Sequence, residues 1–553
     1  MKFYEPYLDD FNSLKSGELK YENYTFLVNN IEVKNNRGIY GDNVYINKDN
    51  EVVGIKERSN SYISGIIHLN SNQKYGFTNR NIPYYKFTSL SGKFPSFIVP
   101  SKSKIKKALY CVIKINKWNT SHKNPIGKVD FLLGPVGNKV AETEILLYKN
   151  NIYPKKTKLK YNEILDLNQR IIDYKTFSID PLGCKDIDDA LHYKELDNGR
   201  IEIGIHIANV SRYLNHFSTE LFSSIYLDNK IINMLEDSHS FNKCSLISGV
   251  NRMVLSLIVV FNGIEIENYY FRESIVRNTN LCYQDAERMI HESHGSNLFK
   301  LWELTTKILS NNELSATRMV EYYMILYNKL VAETLYKYDK KNTILRTHQG
   351  NTILYNGEDI LKQFLEKKKR NAALYEKEPI NTYHKGLNLE FYTHATSPIR
   401  RFVDIINQKN IINILENEEL YSINYLDKIN IFQKNLKKFY NNYKKVKILF
   451  NYENDKEFLK SNKYLNAFVL EIKDTRLKIY IPKLDIEHNF ILISSKLKEN
   501  HNVIVNDEFI KIGENIEIKK FQEIHISITP LRFEEKFSKK LNIKVLDPEV
   551  IIS

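Results

Sequence analysis

At 553 residues the chain is long enough to bury several cores, and 42% apolar against 26% charged residues describes a globular protein rather than a disordered or fibrous one. Its formal charge of +14, from 80 Lys and Arg against 66 Asp and Glu, points to a polyanion partner, nucleic acid first, although a generally solvated basic surface would give the same balance. Cys111, Cys184, Cys244 and Cys282 form no C-x-x-C, which argues against zinc and a disulfide framework; the N-terminus is no signal peptide, and no apolar run approaches the ~20 residues of a membrane span.

Residues 1–50 are polar, with weak strand signals at 24–28 and 42–46. From 51 to 160 the pattern alternates in the strand manner, as in Tyr62-Ile-Ser-Gly-Ile-Ile-His-Leu and Leu109-Tyr-Cys-Val-Ile-Lys-Ile. Short strands with Gly and Pro turns predict a small barrel. Lys runs at 102–107 and 155–160 border it. Each is as consistent with a solvated face as with a phosphate track.

The most informative stretch is 176–190, Thr-Phe-Ser-Ile-Asp-Pro-Leu-Gly-Cys-Lys-Asp-Ile-Asp-Asp-Ala. It holds Asp180, Asp186, Asp188 and Asp189, with Pro181 and Gly183 bending the chain between the first acid and the rest. An apolar run, Ile201, Ile203, Ile205 and Ile207, follows, so the acids sit on a bent loop pinned to a buried sheet. Carboxylates turned toward one point repel one another unless a cation lies among them, and hard oxygen donors suit Mg²⁺ or Mn²⁺. On its own such a loop is as consistent with a solvated turn or helix cap. An EF-hand is excluded, because counting from Asp180 its third and fifth positions are Leu182 and Cys184.

Farther on, residues 320–335 have helical spacing. Residues 392–404, Tyr-Thr-His-Ala-Thr-Ser-Pro-Ile-Arg-Arg-Phe-Val-Asp, form a second dense stretch, followed by predicted helices at 399–418 and 424–448. Residues 451–461 read as a linker, and 462–530 return to strands.

Together, 176–190 and 392–404 resemble the signature of the RNase II / RNase R (RNB) superfamily of 3′→5′ exoribonucleases, the spacing of the four acids fitting at every step. Residues 178–192 and 204–211 read like the branch containing the nuclease subunit of the eukaryotic RNA exosome, without the endonuclease (PIN) domain that precedes it there. The resemblance implies an α+β multidomain protein: an RNB core of mixed sheet and helices flanked by OB-fold barrels, cold-shock at the N-terminus and S1 at the C-terminus. It divides the chain into a partial or trimmed first cold-shock domain (1–50), a second (51–160), the RNB domain (163–448), an S1 domain (462–530) and a tail (531–553).

By the same resemblance, Asp180, Asp186 and Asp189 hold metal directly or through water, and Asp188 is the acid whose loss hurts most, ligating the second metal or orienting the water. Arg400 contacts the scissile phosphate, and Arg401 makes structural or backbone contacts along the RNA. Tyr226 and Tyr283 line the end of an RNA channel. Glu321 matches the first Glu of a family pair whose second is replaced by Tyr322. His206, His348 and His394 read as packed hydrogen-bonding residues. Several positions depart from the family: Asn209 and Asn251 stand where it has Asp, and Gln408-Lys409 replaces His-Arg. The segment between Ile290 and Val320 is shorter than usual, lacking the region that supplies an aromatic partner for the terminal base, and that between Arg346 and His384 is trimmed too.

The expected activity is hydrolysis of single-stranded RNA to nucleoside 5′-monophosphates by a two-metal-ion mechanism, with Mg²⁺ (Mn²⁺ the alternative) as cofactor. Exosome-like subunits are the expected protein partners, and the expected location is intracellular, nuclear or cytoplasmic. The alternative is a catalytically weak or inactive RNA-binding scaffold of the same fold in an RNA-decay complex.

Overall fold

A computed structural model describes residues 14–22, 24–118, 122–153, 173–214, 219, 221–348, 359–370, 373–493, 503–513 and 516–548. The chain forms two compact units, one of residues 1–152 and 434–553 and the other of 153–433.

The first unit opens with an antiparallel sheet of β1 (Lys15–Glu22), β2 (Thr25–Val28), β3 (Ile31–Glu32), β4 (Asn43–Ile46) and β5 (Val52–Glu57), in the order β3-β2-β1-β4-β5. Its strands therefore run past residue 50. Leu19, Val28, Val44 and Val52 form a small separate core. Next come β6 (Ile63–His68), β7 (Tyr84–Ser89), β8 (Phe97–Pro100), β9 (Ala108–Lys117) and β10 (Ile126–Pro135), which close into a barrel, followed by α1 (Lys139–Lys149). Asn138 caps α1 by accepting the Ala141 N–H. The Lys run at 102–107 is mostly exposed coil; the run at 155–160 lies outside the described residues.

The second unit is built on another closed barrel: β11 (Tyr174–Asp180), β12 (Asp189–Glu195), β13 (Arg200–Ala208), then, after the short pair β14 (Ile225–Tyr226) and β15 (Ile231–Ile232), β16 (Asn251–Asn262) and β17 (Glu265–Cys282). The run that reads as an apolar strand, β13, is buried on both faces. Ile201, Ile203, Ile205 and Ile207 join the large core containing residues of α3 (Asn297–Leu309) and α4 (Ala316–Tyr338). The alternate residues carry a polar chain instead: Glu202 bonds His192, His192 bonds His206 at 2.7 Å, and His206 bonds Ser256 at 2.7 Å. A Cβ at Gly204 would stand 2.2 Å from the His192 ring, so only glycine admits this pair.

Helix α2 (Tyr283–Glu292) follows β17 directly. Beyond α4 come β18 (Leu345–Thr347), α5 (Asp359–Arg370) and β19 (Leu374–Glu376), then α6 (Phe402–Leu415) and α7 (Leu426–Asn454). Helix α6 is buried on nearly every side.

Helix α7 overruns the segment expected to be a linker, and α8 (Lys456–Asn462), capped by Asp455, fills the rest of it. The C-terminal part of the first unit has β20 (Tyr464–Lys473), β21 (Arg476–Ile481), β22 (Ile486–Ile491), the three-stranded β23 (Val503–Val505), β24 (Phe509–Ile512) and β25 (Ile516–Lys519), β26 (Glu523–Pro530) and β27 (Leu541–Asp547). The larger sheet is ordered β22-β21-β20-β26-β27. Its last strand corrects the expectation of a plain tail after 530: Leu541, Ile543 and Val545 alternate inward against β26.

Candidate active site

Barrel geometry gathers the acids. Asp180 ends β11 and Asp189 begins β12, strands that pair through Phe177 and Leu191. The loop between them bends at Gly183, whose φ of +81° disfavours any side chain. On the other flank β11 runs parallel to β17, with Asp180 opposite Cys282. Tyr283, the next residue, thereby lies near the acids, and its phenol is pushed up by burial first and then by Asp180 and Asp189.

Asp188 is buried and doubly held. Its Oδ1 accepts the Ile399 N–H at 2.8 Å, and its Oδ2 accepts Arg400 Nε at 3.2 Å. Arg400 also donates to Ser397 Oγ at 3.0 Å, which fixes the guanidinium while leaving 46% of its side chain exposed. Asp186 accepts the Tyr226 hydroxyl. Asp180 Oδ2 is buried with no hydrogen-bond partner among the described residues.

Burial raises the pKa of Asp180 to about 6, of Asp189 to about 7 and of Asp188 to about 8, while Arg400 pulls each of them down. Neighbouring acids add to the rise. The cluster is therefore short of positive charge. Its donor chemistry, hard carboxylate oxygens with one orphaned atom, fits a divalent cation. Among the described residues, however, no three His, Cys, Asp or Glu side chains already stand as a ready coordination set.

A cavity of about 290 Å³ opens beside the acids, lined by Asp189, Glu321, Asn328, Tyr392, Arg400 and Arg401 among others. Glu321 is exposed and paired with Arg318 at 2.5 Å. Arg401 is committed to Asp404, donating at 2.8 Å, and that carboxylate also accepts the Ser397 N–H at 2.8 Å. Tyr322 is half-buried against the core.

The histidines pack as expected. His206 lies in the barrel's polar chain, His394 bonds the Tyr375 hydroxyl at 2.6 Å, and His348 accepts the Gly386 N–H.

Two residues that the sequence reading did not place prove central. Asn328 accepts the Ala395 N–H at 2.7 Å and so anchors the second motif to α4, and Ser397 steadies Arg400. Both partners lie in 392–404, the only sequence signal either had. The departures from the family pattern are locally satisfied. Asn209 donates to Glu273 at 2.7 Å, Asn251 accepts from Arg277 at 3.1 Å, and Gln408 bonds the Ala208 carbonyl and the Ser211 N–H. In the shortened segment the chain supplies α3, whose Trp302 is half-buried and donates to the Leu314 carbonyl at 2.7 Å.

Fold and motifs define one class. The RNB domain profile matches residues 168–300 and 296–417, and that of the Dis3-like cold-shock domain 2 (CSD2) matches 84–151. The chain carries an RNB domain over residues 168–417. It is 24% identical to the human protein named exosome complex exonuclease RRP44 over an alignment of 540 residues, covering 79% of this chain and 56% of that one. It is 26% identical to ribonuclease R 2 of Lactococcus lactis over 389 residues, 53% of this chain and 58% of that one. The chain thus spans about half the length of the curated relatives it matches. Among solved structures, Mycoplasma genitalium RNase R in complex with ribose-methylated single-stranded RNA superimposes with TM-score 0.71 at 15% identity, over 96% of this chain and all of that one. Yeast Ssd1, described as a pseudonuclease, does so with TM-score 0.62 at 15% identity, over 99% of each.

Proposed function

We propose that the chain is a divalent-metal-dependent 3′→5′ exoribonuclease that hydrolyses single-stranded RNA to nucleoside 5′-monophosphates. The observation that carries this reading is the Asp188–Arg400 contact at 3.2 Å, beside three further aspartates and a cavity that Asp189 and Arg400 both line. A non-catalytic RNA-binding protein has no use for buried acids that repel both one another and phosphate. Because a pseudonuclease shares the fold, the fold alone does not favour catalysis; the retained acids and arginine do.

In this reading Asp180, Asp186 and Asp189 would hold Mg²⁺ or Mn²⁺, which when bound supplies an activated water and relief of charge at the leaving oxygen, the chemistry of two-metal phosphodiester hydrolysis. Arg400 binds the scissile phosphate through its exposed edge; a planar guanidinium can make paired hydrogen bonds to phosphate oxygens. Asp188 aims that guanidinium and keeps its charge in place. Tyr226, tied to Asp186 by its hydroxyl, and Tyr283 offer ring faces to the terminal nucleotide. Glu321 and Arg401 border the cavity where the RNA end would lie. The proposed partners are RNA and, by analogy with the exosome nuclease, subunits of an RNA-decay assembly inside the cell. No helix among the described residues is long and apolar enough to cross a membrane.

The test is 5′-labelled single-stranded RNA incubated with purified protein in Mg²⁺. Progressive shortening from the 3′ end, stopped by EDTA, is expected. RNA that survives intact at high protein concentration would favour the binding role.

A further inference from the structure

The first unit contains a cavity of about 180 Å³ that shares no residue with the acidic site. Lys149 at the end of α1, Asn442 and Lys445 on α7, His488 on β22, and Phe537 and Lys540 ahead of β27 line it.

Charge here is one-sided. Glu142 is already saturated by Lys540 at 2.9 Å, the Gly137 N–H at 2.9 Å and the Tyr110 hydroxyl. Glu487 is taken by Lys478 at 2.8 Å, and it is the acid whose charge both Lys437 and Lys445 feel. Of the three lysines that line the cavity, Lys540 is paired with Glu142, which leaves the Lys149 and Lys445 ammonium groups facing a wall that carries no carboxylate. Burial holds both Lys149 and Lys445 below the usual lysine range, Lys445 at about 8, with Lys149 and Lys478 lowering Lys445 further.

His488 is the second and independent sign. It is 2% exposed, and neither ring nitrogen has a hydrogen-bond partner of ordinary geometry among the described residues. Burial, with Lys445 adding, pushes it down to about 3, while the nearby Ser538 backbone opposes the shift. The ring is thus neutral at pH 7; its N–H is turned to the Ser538 backbone and its other nitrogen is bare. Buried polar atoms are paired as a rule, so a ring nitrogen left open on a cavity wall marks the place of a ligand.

We propose that this cavity binds a phosphate group, held by the Lys149 and Lys445 ammonium groups and the His488 ring. A dianion answers the excess of positive charge. Hydrogen phosphate offers acceptor oxygens to the ammonium groups and its own O–H to the bare ring nitrogen. At about 180 Å³ the space exceeds what one water needs, yet falls short of the roughly 300–1,000 Å³ typical of whole organic ligands. Asn489 and Ser538, both exposed, stand at the edge, so the group arrives either free in solution or as the terminal phosphate of an RNA strand.

The experiment is calorimetric titration of inorganic phosphate into the full chain in EDTA, with ionic strength held constant by KCl. The same titration is run on Lys445→Met and on Lys444→Met, the latter removing a neighbouring ammonium that is paired with Asp485 and does not line the cavity. Wild type and Lys444→Met are expected to bind alike, and Lys445→Met at least tenfold more weakly. His488→Phe, which fills the space without touching a charge, is expected to abolish binding and stands in should Lys445→Met fold poorly. No phosphate-specific heat from wild type, or equal affinity in wild type and Lys445→Met, overturns the proposal. A second arm adds single-stranded RNA of about 16 nucleotides bearing a terminal phosphate, the upper end of OB-fold site sizes. If the strand supplies the phosphate, RNA displaces inorganic phosphate and Lys445→Met weakens RNA binding as well; if the phosphate is free, RNA affinity is unchanged. No cleavage is read, so failure of the nuclease reading leaves this result standing.

Discussion

Arg400 Nε lies 3.2 Å from Asp188 Oδ2, joining residues 212 positions apart in the chain. The Ile399 N–H donates to the other oxygen of the same carboxylate at 2.8 Å. Two motifs that are separate in sequence thereby form one electrostatic unit.

On the nuclease reading, Arg400→Lys keeps the charge but removes the fork that holds Asp188 and Ser397 and would grip the scissile phosphate. Cleavage of single-stranded RNA is expected to fall roughly 10²–10³-fold, the scale of losing one oriented donor. Single-turnover rates check this, and a Lys variant as fast as wild type would remove Arg400 from the site.

How much of this was legible in the sequence varied with the range of each interaction. The acids declared themselves, since four Asp and two chain-bending residues lie in one short loop. The strand at Leu541–Asp547 carries a plain period-2 signal, Leu541, Ile543 and Val545, that reaches beyond residue 530. The stretch 451–461 is polar, yet it is helical, because Asp455 caps α8 by accepting the Glu457 and Phe458 N–H groups. Asn209 and Gln408 could not be read at all: their partners lie 64 and about 200 positions away. A departure from a family pattern is interpretable only once the facing residue is known.

Asn209 illustrates this. Its amide donates to Glu273 at 2.7 Å, and Glu273 is also gripped by Arg212. Restoring the family's acid, Asn209→Asp, would set two carboxylates face to face. The variant is expected to lose roughly 1–3 kcal/mol of stability, the cost of a buried hydrogen bond broken on one side. Urea unfolding measures it; an unchanged midpoint would mean that Arg212 alone can neutralise both acids.

Glu142 and Lys540 are 0% and 3% exposed in their side chains and pair at 2.9 Å. Glu142→Gln leaves the ammonium buried without its counter-charge. About 3–5 kcal/mol of destabilisation is expected, as for buried pairs deprived of one partner. A thermal melt near that of wild type would show that Lys540 finds another anion.

His384 is held down to about 4, by burial first and then by His348 and Arg346. Unfolded, it titrates near 6.5, so between these values the unfolded chain binds the extra proton. Its contribution is therefore complete above pH 6.5 and declines as pH falls toward 4. Melting temperature followed across this window should drop more steeply in wild type than in His384→Gln. Parallel profiles would show that the ring charges without cost in the folded state.

The most direct measurement compares wild type with Asp188→Asn on 5′-labelled single-stranded RNA in Mg²⁺, recording cleavage rate and RNA affinity together. The substitution keeps the size of the side chain and removes the acid that accepts from Ile399 and Arg400, a negative charge once a bound cation draws its pKa down. The nuclease reading predicts a rate lower by roughly 10²–10³-fold, with affinity held or increased because phosphate meets less repulsion. An Asp188→Asn protein that cleaves RNA at the wild-type rate would contradict it.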